Sequence, residues 1–278
     1  MTRTVLIPTS LAREAGDMRM ATRKIGYIAR AATIFKVDRI GIFPDPDGVG
    51  DLGEEFVSTI LGYAVTPPHL RKEMWGQRPE LAYAGVLPPL RASPQAGSGS
   101  EDLESLRQGI VTQIRPDGCV WVICGMQNPI SLIVPPNMDV ALGQRVSVRV
   151  SSENPVRARL LPEPPQGIIV ETVDIESALN RKDAGLKIAT SRYGDPISIS
   201  GLNGILKRVE NEGMTVAFGA PGRGLPTILG FDPERSLKQK KDCFGFDCWI
   251  NTIPNQASET VRTEEAMMAS LSILSLQK

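Results

Sequence analysis

The chain has 278 residues, 41% of them hydrophobic and 22% charged, and its 31 Lys and Arg balance 31 Asp and Glu. Such a chain is long enough for one large globular domain or two ordinary ones, and zero net charge argues against a surface coated in basic charge for nucleic acid. It holds no apolar run of about eighteen residues and no charged-then-apolar leader, so neither a membrane span nor a secretory signal is expected, and the expected location is cytoplasmic.

Residues 5–8 (VLIP) read as a short strand. Asp17 then opens a long amphipathic helix reaching about Phe35, with Met18, Ala21, Ile25, Ile28, Ala29, Ala32 and Phe35 on its inner face. Arg19, Arg23 and Arg30 fall in a narrow stripe on another face, and the segment 11–40 carries seven basic residues against three acidic ones. Gly26 lies in that stripe. A glycine inside a helix costs roughly 1 kcal/mol relative to alanine, so close approach by another backbone or a ligand is expected there.

Residues 39–43 (RIGIF) form a second strand. The following loop, DPDGVGD at 45–51, lacks the ligand order and closing glutamate of a calcium loop, and calcium is rejected. A helix is expected over 52–64, followed by an irregular, proline-containing, partly basic stretch over 67–91.

Residues 92–100 (ASPQAGSGS) read as a flexible linker. From 108 to 161 the chain is all short strands with regular turn signals, GIVTQIR, CVWVIC, ISLIV, RVSVRV and VRARLL, which predicts a small barrel. All six basic residues between 107 and 160 are arginine. In RVSVRV, Arg145, Ser147 and Arg149 share one face and the valines the other, which makes that face either a nucleic-acid-binding strip or a solvated outer surface.

A second linker, PEPPQG at 162–167, closes this module, and strand–helix alternation returns. Strands are expected at 168–170, 186–190, 215–218 and 248–250, and helices at 175–181 and 202–210, with a basic run at 238–241. Three strand ends share a character: TSRYGD at 190–195, GAPGRGL at 219–225 and NTIPNQ at 251–256. None offers a histidine, a cysteine nucleophile or paired carboxylates. Their turns, glycines and backbone amides suit a small polar cofactor held by main-chain hydrogen bonds. The glycine loop matches neither the dinucleotide fingerprint nor a phosphate loop. The tail then restarts as a helix with Ser258 as N-cap and Val261, Met267, Met268, Leu271 and Leu274 on one face. Cys119/Cys124 and Cys243/Cys248, each pair with four residues between, are marginal in spacing for a zinc site, and with His69 the only histidine no metal is expected.

The stretches GYIARAATIFKVDRIGIF (26–43), FGAPGRGL (218–225) and INTIPNQASETVRTEEAMMASL (250–271) stand in the order of the three motifs of SPOUT-class RNA methyltransferases. Over nearly its whole length the chain resembles the branch in which an OB-like domain interrupts the methyltransferase domain. The resemblance implies an α/β fold: a trefoil-knotted methyltransferase domain over 1–92 plus 167–278 with an inserted small all-β OB-like barrel over 100–164. It further implies a homodimer formed through the knotted region, RNA (ribosomal RNA among the candidates) as substrate, and S-adenosylmethionine bound by the three C-terminal loops. Carried over by position, cofactor contacts come from Thr190 and Ser191, from Gly219, Gly222, Gly224 and Leu225, and from Ile250, Thr252, Ile253, Asn255 and Thr260. Arg30 matches the arginine that approaches the transferred methyl, supplied across the dimer in relatives. Arg19, Arg23, Arg145 and Arg149 are the expected phosphate contacts. Two departures stand out, Lys24 where many relatives carry asparagine and Pro221 where an acidic residue is common, so no general base is assigned. The alternative is a non-catalytic RNA-binding or assembly protein that keeps the fold as scaffold.

Overall fold

In the computed structural model, residues 1–46, 52–90, 106–116, 118–153, 155–232 and 244–276 are described. Residues 47–51 of the rejected calcium loop, the linker at 92–100, Asp117, the basic run at 238–241 and Cys243 lie outside them. The chain divides into two compact units, Met1–Ala64 with Pro79–Leu90 and Ile168–Lys278, and Val65–Arg78 with Arg91–Gly167.

The first unit is built on six parallel strands, β1 (Arg3–Pro8), β2 (Arg39–Phe43), β8 (Ile169–Thr172), β9 (Leu186–Pro196), β10 (Met214–Ala217) and β11 (Cys248–Asn251). Their order is β11-β9-β10-β1-β2-β8. A parallel sheet is covered on both faces, and its inner strands therefore read as unbroken apolar runs rather than alternating ones. Val5, Leu6 and Ile7 of β1 and Met214, Val216 and Ala217 of β10 are all buried. Leu6 and Phe43 meet Leu225, Phe246 and Trp249 in one apolar cluster that underlies the C-terminal strand ends.

Helix α1 (Met18–Ile34) starts where expected, its N-cap Asp17 accepting a hydrogen bond from the Met20 amide at 2.6 Å. Its apolar stripe Ala21, Ile25, Ile28, Ala29 and Ala32 is buried. It packs against the last helix of the unit, Thr263–Leu274, which contributes Met267, Leu271 and Leu274 to the interior. Gly26 is indeed a place of close approach, but the neighbours belong to the same unit. A Cβ there would meet Pro88 Cδ at 2.5 Å and Leu87 Cδ2 at 2.9 Å.

The second unit is an antiparallel sheet of five strands, β3 (Leu106–Ile114), β4 (Cys119–Ile123), β5 (Ile130–Ile133), β6 (Arg145–Glu153) and β7 (Val156–Leu161), in the order β5-β4-β3-β6-β7. Register shifts in β3 and β6 bend those strands, and the edge strands β5 and β7 come together so that the sheet is nearly closed. Val111, Val120, Val122, Val146, Val148 and Leu160 fill its interior.

Several boundaries differ from the expectation. The last helix begins at Thr263 and not after Ser258, because the Arg262 amide donates to Glu265 Oε2 at 2.9 Å while Ser258 Oγ is spent on the Thr260 carbonyl. Strand β9 does not stop at Thr190. It runs through Arg192 and Tyr193 to Pro196, because β11 shifts register between Trp249 and Ile250 and pairs Ile250 with Asp195. Gly194 makes this possible, since a Cβ there would sit 2.7 Å from the Ile250 carbonyl carbon. In the second unit the Arg145–Arg149 face is not an open solvated strip. Ser147 between them is buried and both arginines are half-buried. An Arg145 guanidinium nitrogen donates to Gln108 Oε1, whose amide in turn reaches the Gln166 carbonyl. Burial pushes the Arg145 pKa down.

Candidate active site

Open α/β sheets place their ligands in the crevice beyond the carboxyl ends of the strands. Here the ends of the adjacent strands β9, β10 and β11 open onto one cleft of about 470 Å³. The β9 wall supplies Thr190, Ser191, Arg192 and Tyr193. The loop after β10 supplies Gly219, Gly222, Gly224 and Leu225, with Gly224 the N-cap of a short helix α6 (Leu225–Ile228). Strand β11 and the chain after it supply Ile250, Thr252, Ile253 and Thr260. Ten of the eleven expected cofactor residues thus line one hollow. Asn255 does not line it; it turns the loop, with φ of 60°.

The glycine loop is folded by its own main chain and by two side-chain ties. Ala220 and Arg223 exchange backbone hydrogen bonds at 2.9 and 3.1 Å, with Gly222 at φ of 72° between them. That positive φ is what a glycine tolerates at no steric cost. Gly219 is crowded differently, because a Cβ would lie 2.5 Å from the Leu225 amide nitrogen and 2.9 Å from the Gly224 carbonyl carbon. The first tie is Arg223, which grips the buried Asp45 beyond β2. The second is Thr263 at the head of the last helix, α7 (Thr263–Leu274), whose hydroxyl donates to the Gly219 carbonyl at 2.8 Å. Thr252 and Ser270 share a hydroxyl hydrogen bond at 2.8 Å that fastens the third wall to the same helix. On the first wall Thr190 Oγ1 donates to the Ala217 carbonyl at 2.8 Å, joining β9 to β10 just below the cleft.

The cleft joins three kinds of surface: glycine backbone, the hydroxyls of threonine and serine, and the apolar Leu225, Ile250 and Ile253. No Cβ narrows it at Gly222, where nothing lies within 4 Å of the position a Cβ would take. Such a lining can hold a ligand with an apolar ring at one end and polar groups at the other. Its charged side chains, among the described residues, are Arg192, Asp232 and Glu259. Among the described residues no helix is long and apolar enough to cross a membrane, and none form a group of three or more His, Cys, Asp or Glu able to hold a metal.

Arg30 does not line this cleft. Its guanidinium donates to the carbonyls of Pro89, at 3.1 Å, and Leu90. Arg19 and Arg23 line a second hollow, of about 640 Å³, with Tyr27, Leu87 and Pro88. Arg145 and Arg149 belong to the second unit. Lys24, the departure noted above, is buried and ion-paired with Glu14 and, at 3.8 Å, with Glu264 at the head of α7. Arg262 joins the same cluster at 3.3 Å from Glu14.

Two features escaped the sequence. Asp45 and Arg223 are far apart in the chain, and nothing local marks them as a pair. Arg192 and Tyr193 read from the sequence only as part of a polar strand end, and the signal available is an aromatic beside a cation in that motif.

A profile of the family described as "Putative RNA methyltransferase" matches residues 2–274. An uncharacterized protein of Haloarcula marismortui is 58% identical over 99% of both chains. The 28S rRNA (uridine-N(3))-methyltransferase of Homo sapiens is 30% identical, covering 98% of this chain and 77% of its own length. That of Mus musculus is also 30% identical, with 98% and 76% covered.

Proposed function

The chain belongs to the "Putative RNA methyltransferase" family, and from that premise we propose that it transfers a methyl group from S-adenosylmethionine to a base of ribosomal RNA, with uridine N3 the first candidate atom. The observation that carries this reading is the cleft at the ends of β9, β10 and β11, whose lining includes ten of the eleven residues expected to hold the cofactor, drawn from three separate stretches of chain. The relatives' activity on uridine N3 supports the choice of atom. We infer further that the first unit is a SPOUT-class domain and the second an OB-like insertion. The skipped strand order, with β10 between β9 and β1, and the return of α7 onto α1 are compatible with a knotted C-terminal end, and the nearly closed sheet with an OB-like barrel. A homodimer belongs to the same reading.

The fit of the cofactor rests on the glycine cradle and on the mixed lining. When bound, S-adenosylmethionine supplies an electrophilic methyl on a positively charged sulfur. Glycine-loop amides and the hydroxyls of Thr190, Ser191, Thr252 and Thr260 would hold its polar groups, while Leu225, Ile250 and Ile253 would flank its ring. The acceptor N3 would take up that methyl group and give its proton to solvent, and the chain's own part would be to hold base and donor in line. Positioning supplies most of the acceleration in such a transfer, and a cation near the base stabilises the anion left when N3 loses its proton. Arg30, reaching the cleft from the partner subunit, is the residue we assign to that role.

Calorimetric titration of the purified protein with S-adenosylmethionine and S-adenosylhomocysteine tests the reading, followed by tritium transfer to ribosomal RNA. Micromolar binding with transfer is expected. No binding to well-folded protein would sink it. Binding without transfer would favour an RNA-binding or assembly role, which Pro221 in the second motif makes worth testing.

A further inference from the structure

One pair in the lining of the cleft lies outside the residues expected to hold the cofactor. Among the described residues that line it, Tyr193 is the only aromatic and Arg192 the only cation. Tyr193 is 42% exposed, so it is not part of the core. The Arg192 guanidinium carbon lies 5.0 Å from the centroid of its ring, and a terminal nitrogen donates to the Tyr193 hydroxyl at 3.1 Å. The two side chains are thus joined in one positively charged, aromatic unit.

The backbone beneath them is tied down on three sides. Asn251 Nδ2 donates to the Arg192 carbonyl at 3.0 Å. The Tyr193 amide donates to Ser191 Oγ at 3.2 Å. Gly194 sits against the Ile250 backbone too closely for any Cβ.

We propose that Arg192 and Tyr193 form the acceptor platform of the cleft, on which one unpaired pyrimidine of single-stranded or looped RNA stacks while Arg192 holds an adjoining phosphate. The proposal rests on the RNA-methyltransferase reading above and names where its substrate sits. An atom of a base in a duplex is out of reach of an active-site cleft, so the target base must be unstacked and received on a new surface. Proteins receive such bases on aromatic faces and arginine planes. The other charged groups of the lining, Asp232 and Glu259, are anionic and repel phosphate, which leaves the β9 wall as the side on which RNA enters.

The test uses the full-length protein. Binding of a fluorescein-labelled oligouridine RNA is followed by anisotropy, a 4-thiouridine oligonucleotide is photo-cross-linked and the site mapped by mass spectrometry, and S-adenosylhomocysteine is titrated in parallel. The expected result is a cross-link at Tyr193, RNA affinity at least about tenfold weaker in Tyr193→Ala and retained in Tyr193→Phe. Arg192→Ala should weaken RNA binding and lower the salt slope by about one. S-adenosylhomocysteine affinity should stay within about threefold in both, and both residues being exposed, melting temperatures should stay near that of the unsubstituted protein. RNA affinity of Tyr193→Ala within about twofold of the parent, cross-links confined to other residues, or parallel loss of RNA and S-adenosylhomocysteine would each overturn the platform. Cross-linking at Tyr193 in a protein that binds no S-adenosylhomocysteine would support the platform and overturn the methyltransferase reading instead.

Discussion

Arg223 holds Asp45 with two hydrogen bonds, Nε to Oδ2 at 3.1 Å and Nη2 to Oδ1 at 3.0 Å, across a sequence separation of 178 residues. The carboxylate side chain is 1% exposed. Its remaining bonds come from Ser10 Oγ at 2.6 Å, and its backbone amide donates to Thr9 Oγ1 at 3.0 Å. The fork therefore fastens the glycine loop of the cleft to the ends of β1 and β2. Two parallel bonds fix direction as well as distance, so the pair sets how the loop faces the cleft.

Removing one partner of such a pair leaves a buried charge with less compensation, which costs about 3–5 kcal/mol. Arg223→Ala should destabilise the protein by that order in chemical unfolding and weaken S-adenosylhomocysteine binding with it. The double variant Arg223→Ala with Asp45→Asn should recover part of the stability, because the uncompensated carboxylate is gone. An unfolding midpoint unchanged in the single variant would show the fork to be idle.

The two glycines of the loop should respond for different reasons and to different extents. Gly219→Ala places a methyl where the Leu225 amide nitrogen is 2.5 Å away, and the loop must move; cofactor affinity should fall about tenfold or more. At Gly222 the φ of 72° is the whole obstacle, and Gly222→Ala should cost about 1–2 kcal/mol with a smaller effect on binding. Equal losses of affinity in the two variants would contradict this assignment of their roles.

Arg30→Ala should reduce methyl transfer by about a hundredfold or more while S-adenosylhomocysteine affinity stays within about threefold, since its proposed work is electrostatic at the reacting base. Single-turnover transfer and calorimetry measure the two separately. A tenfold loss of cofactor affinity would instead place Arg30 in support of the cleft, through its hold on the Pro89 and Leu90 carbonyls.

Glu264 gives a dependence on pH. Burial raises its pKa above 4.5, and the hydrogen bond from its own backbone amide and the attraction of Lys24 offset only part of that, with Glu265 and Glu14 adding to the rise. The folded protein therefore holds this proton more tightly than the unfolded chain, and the group's contribution to stability declines as pH rises from about 4.5 through the folded value. Glu264→Gln should flatten the profile over that window and be at least as stable at neutral pH, Lys24 keeping Glu14 as partner. Parallel profiles for the two proteins would refute it.

Much of the architecture was legible because burial writes itself into local pattern. The unbroken runs VLI and MTVA announce inner parallel strands, and the alternating CVWVI and RVSVRV announce a half-covered sheet. Asp17 declares its helix in the same way. What stayed hidden was decided by partners remote in sequence. TSRYGD looks like a turn, yet it continues as strand because β11 shifts its register opposite it. Ser258 looks like a cap, yet Glu265 folds back on the Arg262 amide and starts the helix later. RVSVRV has an alternating pattern, but its polar side is covered by Gln108 and the chain near Gln166. The cleft was half legible: glycines and hydroxyls at three strand ends mark its walls, while the fork between Arg223 and Asp45 that holds one of them leaves no local trace.

The placement of β1 between β2 and β10 has a consequence for how the molecule comes into being. Val5 pairs with Ile40 on one side, soon after it in the chain, and with Val216 on the other, which follows only after the whole second unit. Contacts of such long sequence separation slow the search for the native state. In the interval the open edge of β1 exposes an apolar strand, the kind of surface from which intermediates aggregate. Translation speed and growth temperature should therefore govern the yield of soluble protein more strongly than the stability of the finished sheet does.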